Sequence, residues 1–143
     1  MSNWNLEEEV PLLELCKKLE ELGYPQEGDG LYWKTWNWTK WKDWENWDVD
    51  FVREENRQLL LSSTDFVRAP TCRELGEWLI KKSILLELGD LFIGYDESVD
   101  KWTVCYGKVD KEWVWADTEP DARAKMLIWL VENGYVKFDT QTN

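Results

Sequence analysis

Tryptophan is crowded into one short part of this 143-residue chain. Six of the twelve tryptophans lie between positions 33 and 47, and from residue 38 to residue 47 an indole recurs at every third position. A three-residue period drifts by about 60° per step around an α-helix and changes face in a strand, so no regular element buries every ring. We therefore expect some of these rings to lie against solvent or against a partner.

The side chains of this tryptophan-rich segment form the candidate binding site. Polar or charged residues separate the rings, and Lys34, Lys40 and Lys42 add positive charge beside them. Aromatic rings with basic neighbours commonly anchor protein interfaces, and they also stack on nucleotide bases. The alternative is that the segment folds back and its rings cover an aromatic sheet face. The predicted binding residues are Trp36, Trp38, Lys40, Trp41, Lys42, Trp44 and Trp47.

Apolar spacing and capping residues predict three helices. Residues 11–22 place apolar side chains at i, i+3, i+4, i+7 and i+10, and Gly23 follows as the expected end of the first helix. Thr71 and Glu74 have the spacing of a capping box, which predicts a second helix that ends near residues 81–82. The assignment of residues 83–90 stays open between helix and loop.

The third helix is expected to begin at Thr118. Pro120 suits its first turn, and Asp121 stands at the carboxylate position of a capping box. Residues 126–131 are apolar on every side of the helix. This helix is therefore predicted to be the most buried one and to pack across a sheet.

Short runs rich in β-branched and aromatic residues predict five strands. The last three form a meander, and we expect one of its faces to be heavily aromatic because side chains alternate along a strand. The second strand is expected to pair with the first, which makes residues 39–55 a long hairpin loop. The predicted strands lie near residues 31–33, 58–62, 91–95, 101–106 and 112–116.

Together these elements predict an α+β fold in the order α-β-β-α-β-β-β-α. Its helices would lie on one face of an antiparallel sheet of about five strands. Length and composition favour a single domain over residues 1–143. We expect a tryptophan-rich insertion at about 34–50 and a short, polar, mobile C-terminal tail.

Charge limits the partners of this chain. Seventeen Lys and Arg residues stand against 29 Asp and Glu residues, so the net charge is −12. Direct duplex binding needs cations that neutralise phosphates, and a basic protein partner is therefore the more natural expectation. The acidic N-terminus is unlike a signal peptide, and no apolar run is long enough to span a bilayer, so we expect a cytoplasmic protein without membrane contact.

The chain lacks the side chain that acid–base catalysis uses most often. Histidine is absent, which removes the commonest general base and metal ligand. Cys16 and Cys105 are expected in the core. Cys72 would lie in a first helical turn, where its thiol pKa could fall, but no histidine can serve as its partner. We therefore predict no catalytic residue and no enzymatic activity.

Cofactor and metal motifs are equally sparse. No standard phosphate-binding glycine loop is present. Asp48 with Asp50, and Glu54 with Glu55, are acidic pairs of a kind that binds divalent cations. In a chain with 29 acidic residues such pairs arise by abundance, so we predict neither a metal site nor a cofactor.

Three stretches carry a resemblance to known proteins: LLELCKKLEELGYPQEGDGLYW (12–33), FVRAPTCRELGEWL (66–79) and ARAKMLIWLVENGYV (122–136), together about a third of the chain. They resemble a widespread group of short, functionally unassigned proteins encoded by bacteriophages and prophages. The shared features are a leucine-rich helix with an LG turn, an APT-type helix start and a last helix of A-x-A-x-x-L type, here Ala122, Ala124, Leu127 and Trp129. The resemblance implies no catalytic residue. The segment from Trp36 to Trp47 differs from the loop that is usual in this group.

A phage setting would suit a small acidic protein that acts by covering a surface. The leading hypothesis is an anti-CRISPR-like inhibitor that binds a host defence protein, such as a nucleic-acid-binding effector, and blocks its basic groove. The alternative is a sponge that sequesters a nucleotide signal between indole rings. An enzyme that uses carboxylates or Cys72 is the third reading, and self-association through exposed tryptophans stays open.

Overall fold

The computed structural model describes residues 6–36, 47–109 and 113–138. The tail at 139–143, which we expected to be mobile, lies outside these ranges. The described residues form two three-stranded antiparallel sheets and five α-helices, preceded by a 3-10 turn at Leu6–Glu9. The α+β class is therefore confirmed. The elements are α1 (Leu13–Glu21), β1 (Gly30–Trp36), β2 (Asp48–Val52), α2 (Glu54–Leu60), β3 (Thr64–Arg68), α3 (Cys72–Leu79), α4 (Lys82–Leu88), β4 (Leu91–Asp96), β5 (Lys101–Tyr106), β6 (Val114–Ala116) and α5 (Glu119–Glu132).

The first sheet has β1 at its centre, in the order β2-β1-β3. Strand β1 pairs with β2 from Gly30 opposite Val52 to Lys34 opposite Asp48. On its other side β1 pairs with β3, where Trp36 lies opposite Thr64. Both pairings are antiparallel.

The second sheet is the predicted meander, in the order β4-β5-β6. Strand β4 pairs with β5 from Leu91 opposite Tyr106 to Asp96 opposite Lys101. Strand β6 is short, and Trp115 lies opposite Thr103 of β5. The predicted bounds of the first two strands of this sheet agree with the structure to within one residue.

The prediction of one five-stranded sheet with three helices is wrong. The leucines at 58–62, predicted as a strand, belong to the end of α2 and the turn after it. Leucine favours helix more than β-branched residues do, and Glu54 in the first turn of α2 binds Arg57 one turn later. Strands β2 and β3 pair with β1 instead, so the expected hairpin loop at 39–55 contains β2 and the first two residues of α2.

Several helix ends follow local capping chemistry. Gly23 takes a positive φ of 104° after α1, as a C-terminal glycine should. Thr71 and Glu74 form the predicted capping box of α3. Residues 83–90, whose assignment was open, mostly belong to α4, which begins at Lys82 three residues after α3 ends at Leu79.

Helix α5 is the most buried helix, as predicted. Most of its residues are buried, including Leu127 and Leu130 with no exposed surface. It packs on one face of the second sheet, where Val104 and Tyr106 join the main core, and on α3. The Tyr106 hydroxyl donates to the carbonyl of Leu79, which ties the sheet to the end of α3.

A smaller core lies between α1 and the first sheet. Its buried members are Val10, Cys16, Trp33, Val67 and Ala69. Trp33 Nε1 donates to the carbonyl of Pro11 at 3.1 Å, so the indole is buried with its polar atom satisfied. The predicted burial of Cys16 and of Cys105 is confirmed.

Candidate functional site

Most of the predicted tryptophan site lies outside the described residues. This holds for Trp38, Lys40, Trp41, Lys42 and Trp44. The two ends of the site are attached to the first sheet: Trp36 is the last residue of β1, and Trp47 directly precedes β2. The role of the segment as a binding surface therefore stays a prediction.

Trp47 is anchored on the protein. Its ring is partly buried and packs against the smaller core, and Lys17 Nζ lies 4.8 Å from the ring centroid in a cation–π contact. With Lys17, Glu20 and Asp65 it lines a cavity of about 580 Å³ between α1 and β3. Burial raises the pKa of Glu20 there, and the positive charge of Lys17 only partly offsets this shift.

The first lysine of the tryptophan-rich segment is committed to an ion pair. Lys34 Nζ lies 3.9 Å from Asp48 Oδ1 and 3.7 Å from Asp50 Oδ2, on the neighbouring strand. Its charge is therefore balanced locally instead of being free for a phosphate. The same contacts show that the Asp48 and Asp50 carboxylates pair with a lysine of the neighbouring strand.

In the other acidic pair, Glu54 is bound by neighbouring groups. The Glu54 carboxylate accepts hydrogen bonds from Arg57 and Gln58 of its own helix and from the backbone N–H of Gly28. These bonds, the Arg57 one first, lower the pKa of Glu54 to about 2. Among the described residues no group of three His, Cys, Asp or Glu side chains could hold a metal ion.

The second sheet has an exposed aromatic face whose position was not predicted from the sequence. Cross-strand partners share a face, so the pairs Phe92–Cys105 and Thr103–Trp115 lie on one side of the sheet. Trp102 and Tyr106 lie on the opposite side, toward α5. The expected single aromatic face is thus replaced by two, and only one of them is covered by helices.

This uncovered side, which we call the outer face, keeps large rings in solvent. The side chains of Phe92, Trp113 and Trp115 are 58%, 47% and 36% exposed. The Trp113 and Trp115 rings stack with centroids 6.0 Å apart and an angle of 27° between their planes. Exposed aromatic residues in a contiguous group are typical of contact surfaces.

An open groove of about 670 Å³ runs along the outer face. We call it the outer-face groove. Phe92 and Trp113 form its aromatic walls, and Cys105 lies between them on β5. Gly94 leaves a gap on β4, because a Cβ atom at this position would meet nothing within 4 Å. Asp96 and Glu97 give one end of the groove two carboxylates.

The groove is not equipped as a nucleophilic centre. Burial raises the pKa of the Cys105 thiol, which keeps it protonated near neutral pH. The Thr103 hydroxyl also lies in the groove lining, and its oxygen is buried without a hydrogen-bond partner in the described part of the chain. The lining is therefore suited to contact with a ligand more than to covalent chemistry.

Cys72 is in a different cavity, of about 490 Å³, where the N-terminal ends of α3 and α5 meet. Burial and the neighbouring Glu119 carboxylate raise its thiol pKa to about 11, and Arg123 only partly offsets them. The helix N-terminus therefore does not produce the lowered pKa that the sequence suggested. Little thiolate is present at neutral pH, so Cys72 is poorly suited to act as a nucleophile.

Comparison with protein-family models, with curated proteins and with solved structures finds no match for this chain. Across residues 6–36, 47–109 and 113–138, no helix combines the length and apolar character that crossing a membrane requires.

Sequence reasoning missed the outer-face groove, although one signal pointed to it. Only Val114 separates Trp113 from Trp115, which is the spacing of two side chains on one face of a strand. Alternation shows that two side chains share a face of a sheet, but it does not say which face is covered by a helix. That choice needs the packing of α5.

Proposed function

We propose that this protein is a non-enzymatic inhibitor that binds a partner protein and covers a basic surface on it. The observation that carries the proposal is the outer face of the second sheet, where Phe92, Trp113 and Trp115 are exposed on a chain of net charge −12. In the phage setting that the sequence resemblance implies, the partner is a host defence protein. A basic nucleic-acid groove is the surface that such an acidic protein would block.

The net negative charge and the exposed aromatic side chains have different roles in binding. Long-range charge speeds the encounter with a basic partner and selects against acidic ones. Aromatic side chains then supply the contact energy, because interface hot spots are rich in tryptophan and a few residues carry most of the affinity. Phe92 and Trp113, on opposite sides of the outer-face groove, are the residues we expect to dominate.

The charges at the outer-face groove disfavour its use as a nucleotide sponge. Asp96 and Glu97 at the groove end would repel phosphate groups, and Lys101 on the same row of the sheet is paired with Asp117. A sponge would have to use the tryptophan-rich segment. Titration of the protein's tryptophan fluorescence with cyclic and linear nucleotides checks this, and a saturable response would favour the sponge.

The proposal is tested by capture and inhibition. The protein is immobilised, exposed to bacterial lysate at low salt, and the retained protein is identified and purified. We expect this retained partner to bind saturably and to lose its nucleic-acid binding when the complex forms. The complex should dissociate as salt is raised. The double variant Phe92→Ala, Trp113→Ala should weaken binding at least tenfold, about 1.4 kcal/mol.

Phe51→Ala is the matched control, because Phe51 on β2 is 57% exposed, like Phe92. It should bind as the wild type does. The proposal fails if no saturable partner is retained, if binding does not respond to salt, or if the captured protein keeps its nucleic-acid binding in the complex.

A further inference from the structure

The outer-face groove combines two chemistries in one place. Along β4, Phe92 is followed on the same face by Gly94 and then by Asp96. Successive same-face residues on a strand are about 7 Å apart, so an apolar wall, an open gap and a carboxylate follow one another along the groove. A ligand that lies in the gap therefore meets a ring on one side and a negative charge on the other.

Gly94 creates the space for such a ligand. Its backbone does not need glycine, because its φ is not positive, and a Cβ there would point into open space. Glycine weakens a strand interior through its lack of a side chain and often marks a close approach by a ligand or another chain. Here the gap is open to solvent between Phe92 and the Trp113 and Trp115 rings.

The negative charge at the groove favours a positively charged ligand. Asp96 and Glu97 are both in the lining. The Asp96 carboxylate is fixed in position, because its Oδ1 accepts hydrogen bonds from the backbone N–H and the hydroxyl of Ser98 at 2.9 and 2.6 Å. The indole faces of Trp113 and Trp115 also attract cations.

Arginine matches this combination better than other side chains. Its methylene stem packs on apolar surface while the charged end stays near polar groups. Its planar guanidinium stacks on aromatic rings and pairs with carboxylates through two hydrogen bonds, whereas the lysine ammonium is a strongly hydrated point charge. We infer that the outer-face groove receives an arginine side chain from a basic segment of a protein partner, at the gap over Gly94. The inference rests on the proposed function and names the chemistry of its partner.

Peptide binding to the purified protein tests the inference directly. The probe is an acetylated, amidated hexapeptide of alternating arginine and leucine, measured by calorimetry and by the indole N–H signals of Trp113 and Trp115 in NMR spectra. Citrulline in place of arginine keeps the shape and removes the charge. We expect the citrulline peptide to bind at least tenfold more weakly and the lysine peptide to fall between the two.

Two variants of the protein make the test specific. Gly94→Ile fills the gap without touching the core, so it should fold and reduce arginine-peptide binding at least tenfold. Glu97→Gln removes one exposed charge at the groove end, and we expect it to weaken binding roughly twofold to fivefold. Phe51→Ala, on the other sheet, should leave binding unchanged.

The inference is overturned if the arginine peptide does not bind, if the citrulline peptide binds equally well, or if Gly94→Ile folds and binds the peptide as the wild type does. Its failure is distinguishable from failure of the proposed function. A salt-sensitive partner complex that persists in Gly94→Ile would reject the arginine pocket and keep the docking role. The absence of any such complex with the wild-type protein would reject the docking role itself.

Discussion

At the scale of single residues, two buried side-chain polar atoms lack a hydrogen-bond partner in the described part of the chain, Arg68 Nε and Thr103 Oγ1. Arg68 is otherwise well supported, since its other guanidinium nitrogens bind the carbonyl of Glu27 and the carboxylate of Glu74. The Thr103 side chain has no second polar atom that could form a hydrogen bond in its place. A buried hydroxyl without a partner costs free energy, because it loses the water that solvates it in the unfolded chain.

Replacing Thr103 by valine should therefore stabilise the protein. Valine has the same shape and keeps the β-branched side chain that suits a strand. We expect the free energy of unfolding in urea to rise by about 1 kcal/mol. Thr64→Val is the matched control: Thr64 is also buried in a strand but shares a hydrogen bond with Ser63, so its replacement should not stabilise. A loss of stability in Thr103→Val would contradict the expectation.

The Glu54 carboxylate gives the stability of the protein a specific acid dependence. Its pKa is lowered from 4.5 to about 2 in the folded state, so its ionised form stabilises the fold at pH values above the unfolded pKa. That contribution is lost as the pH falls through the folded pKa. The stability gap between the wild type and Glu54→Gln should thus be largest near neutral pH and shrink between pH 4.5 and about pH 2.

Urea unfolding of both proteins over this pH range measures the gap. Glu55→Gln, which removes an exposed charge from the next position of α2, is the control for a general charge effect. A gap between wild type and Glu54→Gln that stays constant with pH would show that the Arg57, Gln58 and Gly28 contacts do not hold the carboxylate in solution.

At the scale of elements, local signals located the starts of α3 and α5, but a tertiary contact redirected one of the capping side chains. Thr118 caps α5 as predicted, and its hydroxyl accepts from the N–H of Asp121. The Asp121 carboxylate, expected to complete that capping box, instead accepts from the backbone N–H of Leu12 at 2.8 Å. Leu12 is the N-cap residue of α1, which has no side-chain cap of its own. One buried carboxylate therefore joins the starts of two helices.

Loss of the Asp121 carboxylate should cost more than loss of an ordinary cap. Asp121→Ala leaves the N–H of Leu12 without its charged acceptor in a partly buried place, which we expect to cost about 2 kcal/mol. Thr118→Ala removes only the local cap of α5, at about 1 kcal/mol. Chemical denaturation of the two variants compares them. Equal costs would indicate that the bond between α5 and the start of α1 contributes little.

Strand prediction succeeded where short turns join the paired strands and failed where longer segments separate them. The β4–β5 hairpin was predicted because its strands are joined by a short turn and are rich in β-branched and aromatic residues. The partner of β1 was misassigned, since the leucine run at 59–61 fits both a helix and a strand. Pairing with β2 and β3 depends on contacts across intervening segments, and no local pattern specifies them.

At the scale of the whole molecule, two small sheets share one chain that carries a net charge of −12. Helix α1 connects them, because Leu19 packs into the main core and Cys16 into the smaller one. Such an excess of one sign favours binding to basic surfaces. It also places like charges closer together in the folded state than in the unfolded chain, which costs stability.

Salt should therefore stabilise the isolated protein while it weakens the proposed complex. Raising NaCl from about 0.02 M to about 0.5 M shortens the screening length severalfold and reduces the self-repulsion of the fold. We expect the urea midpoint to rise over this range. A falling midpoint would mean that attractive pairs such as Lys34 with Asp48 and Asp50 outweigh the repulsion.

The sequence alone determined the features that arise within a few residues: the caps at Thr71 and Thr118, the stop at Gly23, the strands of the meander and the overall charge. Only the tertiary structure decided that Trp113 and Trp115 face away from α5, that Asp121 serves a backbone group 109 positions away, and that the strands divide into two sheets. Capping and alternation are local interactions that a short segment specifies. Which sheet face is buried depends instead on how distant elements pack together, and that packing leaves the outer-face groove open.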